Sequence, residues 1–269
     1  MLDQVADLMR EVAATIVLPR FRHLAEADIQ QKSPGDLVTI ADQEAEKALT
    51  SGLLALLPGS TVVGEEAVAA DPKVLAHVGD SGAVWIVDPV DGTNNFAAGK
   101  EPFAIMTALL RDGEPVASWI LDVPGDHLTM AEAGSGAYQD GVRVKTRTDD
   151  PASAALRGVV GRRYLPPHLR EIADGNAPKL GVVTEGRHCA GYEYPAVATD
   201  LQQFALFWRI LPWDHAPGSL IVREAGGTVR HLDGSPYHPT DTERGMLVAA
   251  NDDIWRTVRD TLFPDVSVL

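Results

Sequence analysis

A single cysteine, Cys189, stands among 269 residues, so no intrachain disulfide can form and the chain suits a reducing compartment. Positive charge is scarce. Only 23 Lys and Arg face 38 Asp and Glu, a formal net charge of −15. A surface that acidic disfavours nucleic acid polymers and anionic membranes as partners. It also repels a phosphorylated small molecule unless cations intervene locally. No apolar run approaches the roughly 18 residues of a membrane span. The opening MLDQVADLMREVAATIVLPRF carries Asp3, Asp7, Arg10 and Glu11 among its apolar positions, unlike a secretory signal. Repeats and low-complexity segments are missing too. These absences lead to the expectation of a cytoplasmic protein.

What the chain does contain is material for a packed core. Hydrophobic residues make up 45% and charged residues 23%, which suits one large domain or two closely packed halves. Val5, Leu8, Met9, Val12, Ala13, Ile16 and Val17 recur at helical spacing and predict an amphipathic helix closed near Pro19. A loop at Lys32 to Asp36 (KSPGD) leads through a short LVTI run to a second helix, from about Asp42 to Leu57. TVVGEE (Thr61 to Glu66) reads as a buried strand ending in two acids, and AVWIVDPVD as another. FAIMTALLRDGEPVASWILDV reads as two strands around an Asp112-Gly113 hairpin turn. Further strands are expected around Leu128 to Ala131, at GVVG and at GMLVAAN. Helices are expected at Pro167 to Ala173, in WDHAPGSLIVREAGG opening on Asp214, and in DDIWRTVRDTLF. The polar stretch Thr146 to Ala152 is the best boundary between two halves. This alternation predicts a mixed α and β chain of layered sheets and helices.

Acids gather where apolar elements begin or end: Glu65-Glu66, Asp88 with Asp91, and Asp214. A lone acid at a strand end is more often an N-cap, a turn former or half of an ion pair. Capping accounts for Asp91 or Thr93, but not for Asp88 as well. Carboxylates held on rigid elements are what hard divalent cations require, and Mg²⁺ takes oxygen ligands. Gly92-Thr93, directly after the acids, is a glycine turn feeding a helix N-terminus, which suits a phosphate; Thr93 also suits an N-cap.

GEE at 64–66, WIVDPVDGTNNF at 85–96 and WDHAPGSLIVREAGG at 213–227, with KSPGDLVTIADQEAE upstream, resemble the motifs of the inositol monophosphatase family. That is a family of metal-dependent, lithium-sensitive phosphatases, and the resemblance spans nearly the whole chain. It implies a layered αβαβα sandwich, α+β or α/β in class. Residues 1–146 would form an N-terminal subdomain with most metal ligands and the phosphate loop. Residues 147–269 would carry Asp214 and the substrate-facing segment, with the active site between the two.

The resemblance also implies roles. Glu65, Asp88 and the carbonyl of Val90 would hold one Mg²⁺; Asp88, Asp91 and Asp214 would hold a second; a third, weaker ion would sit near Glu65. Mn²⁺ is the expected substitute. Gly92 and Thr93 would cradle the phosphate. Asp42 would partner the Thr93 hydroxyl and, with Glu65, orient and deprotonate the attacking water. Lys32 and Asp36 would lie on a loop that folds over the metals. The implied reaction is hydrolysis of a small phosphorylated metabolite by metal-activated water, without a covalent enzyme intermediate, in a homodimer.

Substrate choice is less defined. Inositol-preferring members carry a glutamate seven residues before the WD aspartate; Phe207 stands there, which weakens the case for inositol. Tyr192 and Glu193 replace a small-residue turn and are faintly similar to histidinol-phosphate phosphatases of this superfamily. Glu193 is either a contact for a cationic or polyol group or a solvated helix-start residue. Arg162-Arg163 suits a second phosphate or a plain surface, and His188, His215 and Cys189 carry no spacing that demands a metal role. Histidinol-phosphate phosphatase, fructose-1,6-bisphosphatase and nucleotide 3′-phosphatase are the alternative activities. A non-catalytic metal- or phosphate-binding protein is the alternative of another class.

Overall fold

The computed structural model describes residues 1–33, 35–148, 155–241 and 245–265. Helix α1 (Leu2–Val12) buries Val5, Ala6, Met9 and Val12, the stripe its spacing predicts. The chain winds on through a wider turn (Ala13–Val17) and a tighter one (Leu18–Arg20) that contains Pro19. A hairpin of β1 (Ile29–Ser33) and β2 (Asp36–Thr39) follows and joins neither large sheet. Helix α2 (Ile40–Leu56) starts two residues before the expected Asp42. Thr39 caps it and Asp42, at the third helical position, accepts from the Thr39 N–H at 2.8 Å. The apolar run through Ile40 hides that boundary in the sequence.

Among the described residues a seven-stranded sheet runs in chain order: β3 (Thr61–Gly64), β4 (Ala83–Asp91), β5 (Ala104–Arg111), β6 (Glu114–Asp122), β7 (His127–Glu132), β8 (Gly136–Gln139) and β9 (Val142–Val144). Only β3–β4 is a parallel pair. The β5–β6 turn is Asp112-Gly113, both with positive φ (51° and 82°), as a two-residue hairpin requires. One expectation fails. Strand β3 stops at Gly64, and Glu65-Glu66 open a helix, α3 (Glu65–Ala70), instead of ending the strand. Acids in a first helical turn are favoured by the exposed N–H groups there. A short helix, α4 (Thr93–Ala97), follows β4.

Among the described residues the later chain builds a five-stranded sheet from β10 (Leu156–Val160), β11 (Gly181–Thr184), β12 (Phe204–Phe207), β13 (Thr228–His231) and β14 (Met246–Ala249), in the order β11-β10-β12-β14-β13. Its helices are α5 (Pro167–Asn176), α6 (Ala190–Ala198), α7 (Pro212–Glu224) and α8 (Asp252–Leu262). Of the expected boundary at Thr146 to Ala152, residues 149–152 lie outside the described residues. Helix α7 begins at Pro212, a favoured first position, so Asp214 lies inside its first turn.

Strand alternation sorts side chains into five layers. Ile105 and Leu109 of β5 pack with Trp85 and Val87 against α1 and α2. Ala104 and Met106 point the other way, toward Tyr194 of α6 and Leu220 of α7, which meet Ala205 and Val248 of the second sheet. The far face of that sheet, with Phe204, Leu206 and Leu247, covers Leu169 of α5 and Trp255 of α8. The order is α, β, α, β, α. Met9, Leu49 and Ile105 are fully buried, each contributing roughly 1.5–3 kcal/mol, so β4 is held on a rigid base. No helix among the described residues is long and apolar enough to cross a membrane.

One irregularity in β4 matters for everything that follows. Asp88 pairs with Met106 and Asp91 with Ala104, so three steps on β4 oppose two on β5. Residues three apart on a regular strand face opposite sides. The extra residue restores Asp88 and Asp91 to one side, and it sends Val90 to the α1–α2 side with Trp85 and Val87. Pro89, with no N–H to donate, falls inside this bulge.

Candidate active site

The bulge and the first turn of α7 bring three carboxylates together. Oxygens of Asp88, Asp91 and Asp214 lie within 4.8 Å of one another. Asp88 is 1% exposed and Asp91 8%. Two like charges about 4 Å apart repel by roughly 4 kcal/mol at an effective dielectric near 20, so such a cluster needs protons or a cation. Burial, then Glu65, Asp91 and Asp214, hold Asp88 well above the usual carboxylate range. Burial raises Asp91 to about 6, against hydrogen bonds from Cys189 and Gly191. Burial, then Asp91 and Glu65, lift Asp214 well above its ordinary value, with Arg209 opposing. An all-oxygen donor set on rigid elements fits a hard divalent cation.

Gly191 was not legible as a site residue. Its N–H donates to Asp91 Oδ2 at 2.6 Å, and a Cβ there would meet the Ala104 Cβ at 2.5 Å. Only glycine lets α6 approach the aspartate so closely.

Behind the cluster lies a second acid. Asp42 is fully buried, and burial pushes it to about 6 against its hydrogen bonds from Thr39. The Thr93 hydroxyl lies 3.0 Å from Asp42 Oδ1 and 2.9 Å from the Val90 carbonyl. Its one proton serves either acceptor. Gly92, at φ 84°, makes the turn from β4 into α4; a Cβ there would sit 3.0 Å from the Pro102 carbonyl.

Glu65 stands beside these acids without joining the group of three. Lys32 Nζ lies 2.9 Å from Glu65 Oε1 and also bonds Glu66. Burial opposes the Lys32 charge, but Glu65 and Glu66 lift it above the usual lysine range. Burial raises Glu66 to about 7, with Lys32 opposing. The start of α3 is anchored by Glu46, another residue missed in the sequence. Its carboxylate accepts from the N–H groups of Glu66 and Ala67 at 2.7 and 2.8 Å. A Cβ at Gly64 would come within 2.3 Å of that carboxylate, so the glycine of GEE makes room for the cap.

A cavity of about 380 Å³ opens on this site, and Lys32, Asp36, Glu65, Asp88, Val90, Asp91, Gly92, Thr93, Glu193, Phe207 and Asp214 all line it. Asp42 is reached through Thr93. Glu193 lines the cavity without being solvated: it is 3% exposed, and its oxygens accept from the Arg187 N–H at 2.7 Å and Gln202 Nε2 at 2.8 Å. Phe207 stacks on Tyr194 with centroids 5.3 Å apart and meets His215 edge-on. His215 lies between the Tyr194 hydroxyl, 2.9 Å from Nδ1, and the Arg209 carbonyl, 3.1 Å from Nε2. The carbonyl can only accept, so Nε2 carries the proton; burial lowers His215 to about 4 and keeps it neutral. His188 and Cys189 line the cavity as well. Arg162 turns away to Asp174 at 2.6 Å, whereas Arg163 turns in.

The sequence matches the model of the inositol monophosphatase family over residues 1–266. It is 30% identical to the inositol-1-monophosphatase of Bacillus subtilis, covering 96% of this chain and 94% of that protein. It is 28% identical to the fructose-1,6-bisphosphatase/inositol-1-monophosphatase of Thermotoga maritima, covering 87% and 85%. The fold is similar to the crystal structure of inositol monophosphatase II from Staphylococcus aureus, with a TM-score of 0.80, 29% identity and coverage of 97% and 93%.

Proposed function

The chain belongs to the inositol monophosphatase family, whose members hydrolyse phosphate monoesters, and from that premise we propose that it hydrolyses a small phosphate monoester in a Mg²⁺-dependent reaction at the Asp88–Asp91–Asp214 site. The observation that carries this reading is the convergence of those three buried carboxylates beside Thr93 and Asp42. Asp88, Asp91 and Asp214 would hold the cation, with Glu65 and the Val90 carbonyl adding ligands and Mn²⁺ as a substitute. Bound there, a divalent ion supplies a Lewis acid for phosphoryl oxygens and lowers the pKa of a water.

The chain's own residues do the rest. Gly92 and Thr93 receive the phosphate. Asp42, near 6, is ionised yet basic at neutral pH. When its Oδ1 takes the Thr93 hydroxyl proton in a hydrogen bond, the Thr93 oxygen presents its lone pairs to the attacking water. A proton leaving that water then has a route through Thr93 to Asp42. Glu65, once exchanged from Lys32, would orient the same water. The loop with Lys32 and Asp36 would move as it does so. Lithium sensitivity, a homodimer, a cytoplasmic setting and a division into 1–146 and 147–269 belong to the same reading.

The test is phosphate release from inositol 1-phosphate, histidinol phosphate, fructose 1,6-bisphosphate and adenosine 3′,5′-bisphosphate, with and without Mg²⁺. Release that requires Mg²⁺ and is lost in Asp91→Asn is expected. A well-folded Asp91→Asn protein with unchanged turnover and metal affinity would place the reaction elsewhere.

A further inference from the structure

Arginines line the same cavity as the carboxylates. Arg163 and Tyr164 follow β10, and Arg209 follows β12. All three converge on one carboxylate of the hairpin: Arg209 Nη1 lies 2.8 Å from Asp36 Oδ2, Arg163 Nη2 lies 3.3 Å from Oδ1, and the Tyr164 hydroxyl donates to that same Oδ1 at 2.7 Å. The Tyr164 ring carries both guanidiniums, at 4.1 Å for Arg209 and 5.0 Å for Arg163. Asp36 is the carboxylate that both guanidiniums bond, and Arg209 also feels the charge of Asp214. A phosphate dianion has enough oxygens to meet both guanidiniums and the phenol at once.

The donors are preorganised, whereas their present acceptor is not anchored to either large sheet. The buried His215 bonds the Arg209 carbonyl and is itself fixed by Tyr194. Asp36 sits on the β1–β2 hairpin, whose turn is tied by the Gly35 carbonyl to Asn94 of the phosphate turn at 3.0 Å and to Arg163. The side chains of Asp36, Arg163 and Arg209 are 26%, 33% and 31% exposed. Partly exposed ion pairs of this kind are weak. A phosphate taking up forked guanidinium donors and a phenol makes shorter, stronger charge-assisted bonds.

We propose that Asp36 holds the place of a second phosphate of the substrate: Arg163, Tyr164 and Arg209 form a subsite for a phosphate carried on the same small molecule as the scissile one, and its binding displaces Asp36. The substrate class is then a bisphosphate. This rests on the phosphatase reading above and narrows it.

The experiment compares kcat/KM for two matched sets: fructose 1,6-bisphosphate against fructose 1- and 6-phosphate, and adenosine 3′,5′-bisphosphate against adenosine 3′-phosphate. The wild type should prefer the bisphosphate at least tenfold in one set. Arg209→Met should shrink that ratio by about tenfold, the loss of one charge-assisted contact. Asp36→Asn should act in the opposite direction and lower KM for the bisphosphate severalfold, which misfolding cannot mimic. No bisphosphate preference in either set, or a preference that survives Arg209→Met, overturns the subsite. If no phosphate ester at all is hydrolysed, the phosphatase reading fails. Calorimetry of fructose 1,6-bisphosphate binding, wild type against Arg209→Met, then decides the subsite separately: arginine-dependent binding supports it and arginine-independent or absent binding ends it.

Discussion

The two walls of the cavity differ in almost every respect. One is acidic and rigid, built from the end of β4 and the first turns of α2, α3 and α7, with carboxylates close enough to hold one another's protons on. The other is basic and aromatic, built from segments that follow β10 and β12, and its cations are met by a carboxylate from a separate hairpin. With the proposals above, the difference amounts to a division of labour: a buried, over-determined wall for reaction and a half-exposed, exchangeable one for choosing what reacts.

That division can be broken most directly on the acidic side. Asp88→Asn should lower turnover by at least about a hundredfold, more than the loss typical of a residue that merely supports a metal ligand. A loss under tenfold in steady-state assays would mean the wall is not where reaction occurs. Next in size is Gly64→Ala, which drives a methyl into the Glu46 carboxylate and frees two N–H groups of α3. Denaturant unfolding should show about 2–3 kcal/mol less stability; an unchanged midpoint would show that Glu46 can move away at no cost.

A smaller effect concerns pH. Asp42 and Asp91, near 6 in the fold against an ordinary 3.8, keep protons that the unfolded chain has already released between those values. Their contribution to metal-free stability is therefore greatest in acid and is lost as pH rises through about 6. The unfolding midpoint without metal should fall from about pH 5 to about pH 7.5. Mg²⁺ should raise it more at the upper pH, since cation and proton compete for the same oxygens. A larger Mg²⁺ effect in acid would contradict this account. Smallest is Arg162→Ala, which removes an outward pair with Asp174 and should cost less than about 1 kcal/mol without altering kcat/KM. If it matched Arg163→Ala in changing substrate preference, the contrast between the two neighbours would collapse.

The acidic wall was legible because its residues cluster in sequence where apolar runs stop: Glu65-Glu66, Asp88 with Asp91, and Asp214. Their family pattern made the layers legible too. The elements holding them were less so. Periodicity does not reveal that a run through Gly64 changes from strand to helix, because both states tolerate the same apolar residues. Glu46 looked like any charged helix residue until the fold brought α3 against it. The basic wall was hidden by distance: Arg209 and Asp36 are 173 residues apart, and neither stands in a pattern that names the other. Glu193 was weighed as solvent-facing or substrate-facing, and its burial on Arg187 and Gln202 depends on a loop closure that no local spacing encodes.

The single extra residue in β4 acts as a parity switch. Straighten the strand over Pro89-Val90 without changing its length and Asp91 would turn toward Trp85, Val87 and the helices behind them, a bare charge in a hydrocarbon layer. Substitutions along this strand can be absorbed one side chain at a time, but loss of the bulge at this spacing cannot. In descendants of this sequence, the odd spacing of the two aspartates and the bulge between them should therefore change only together.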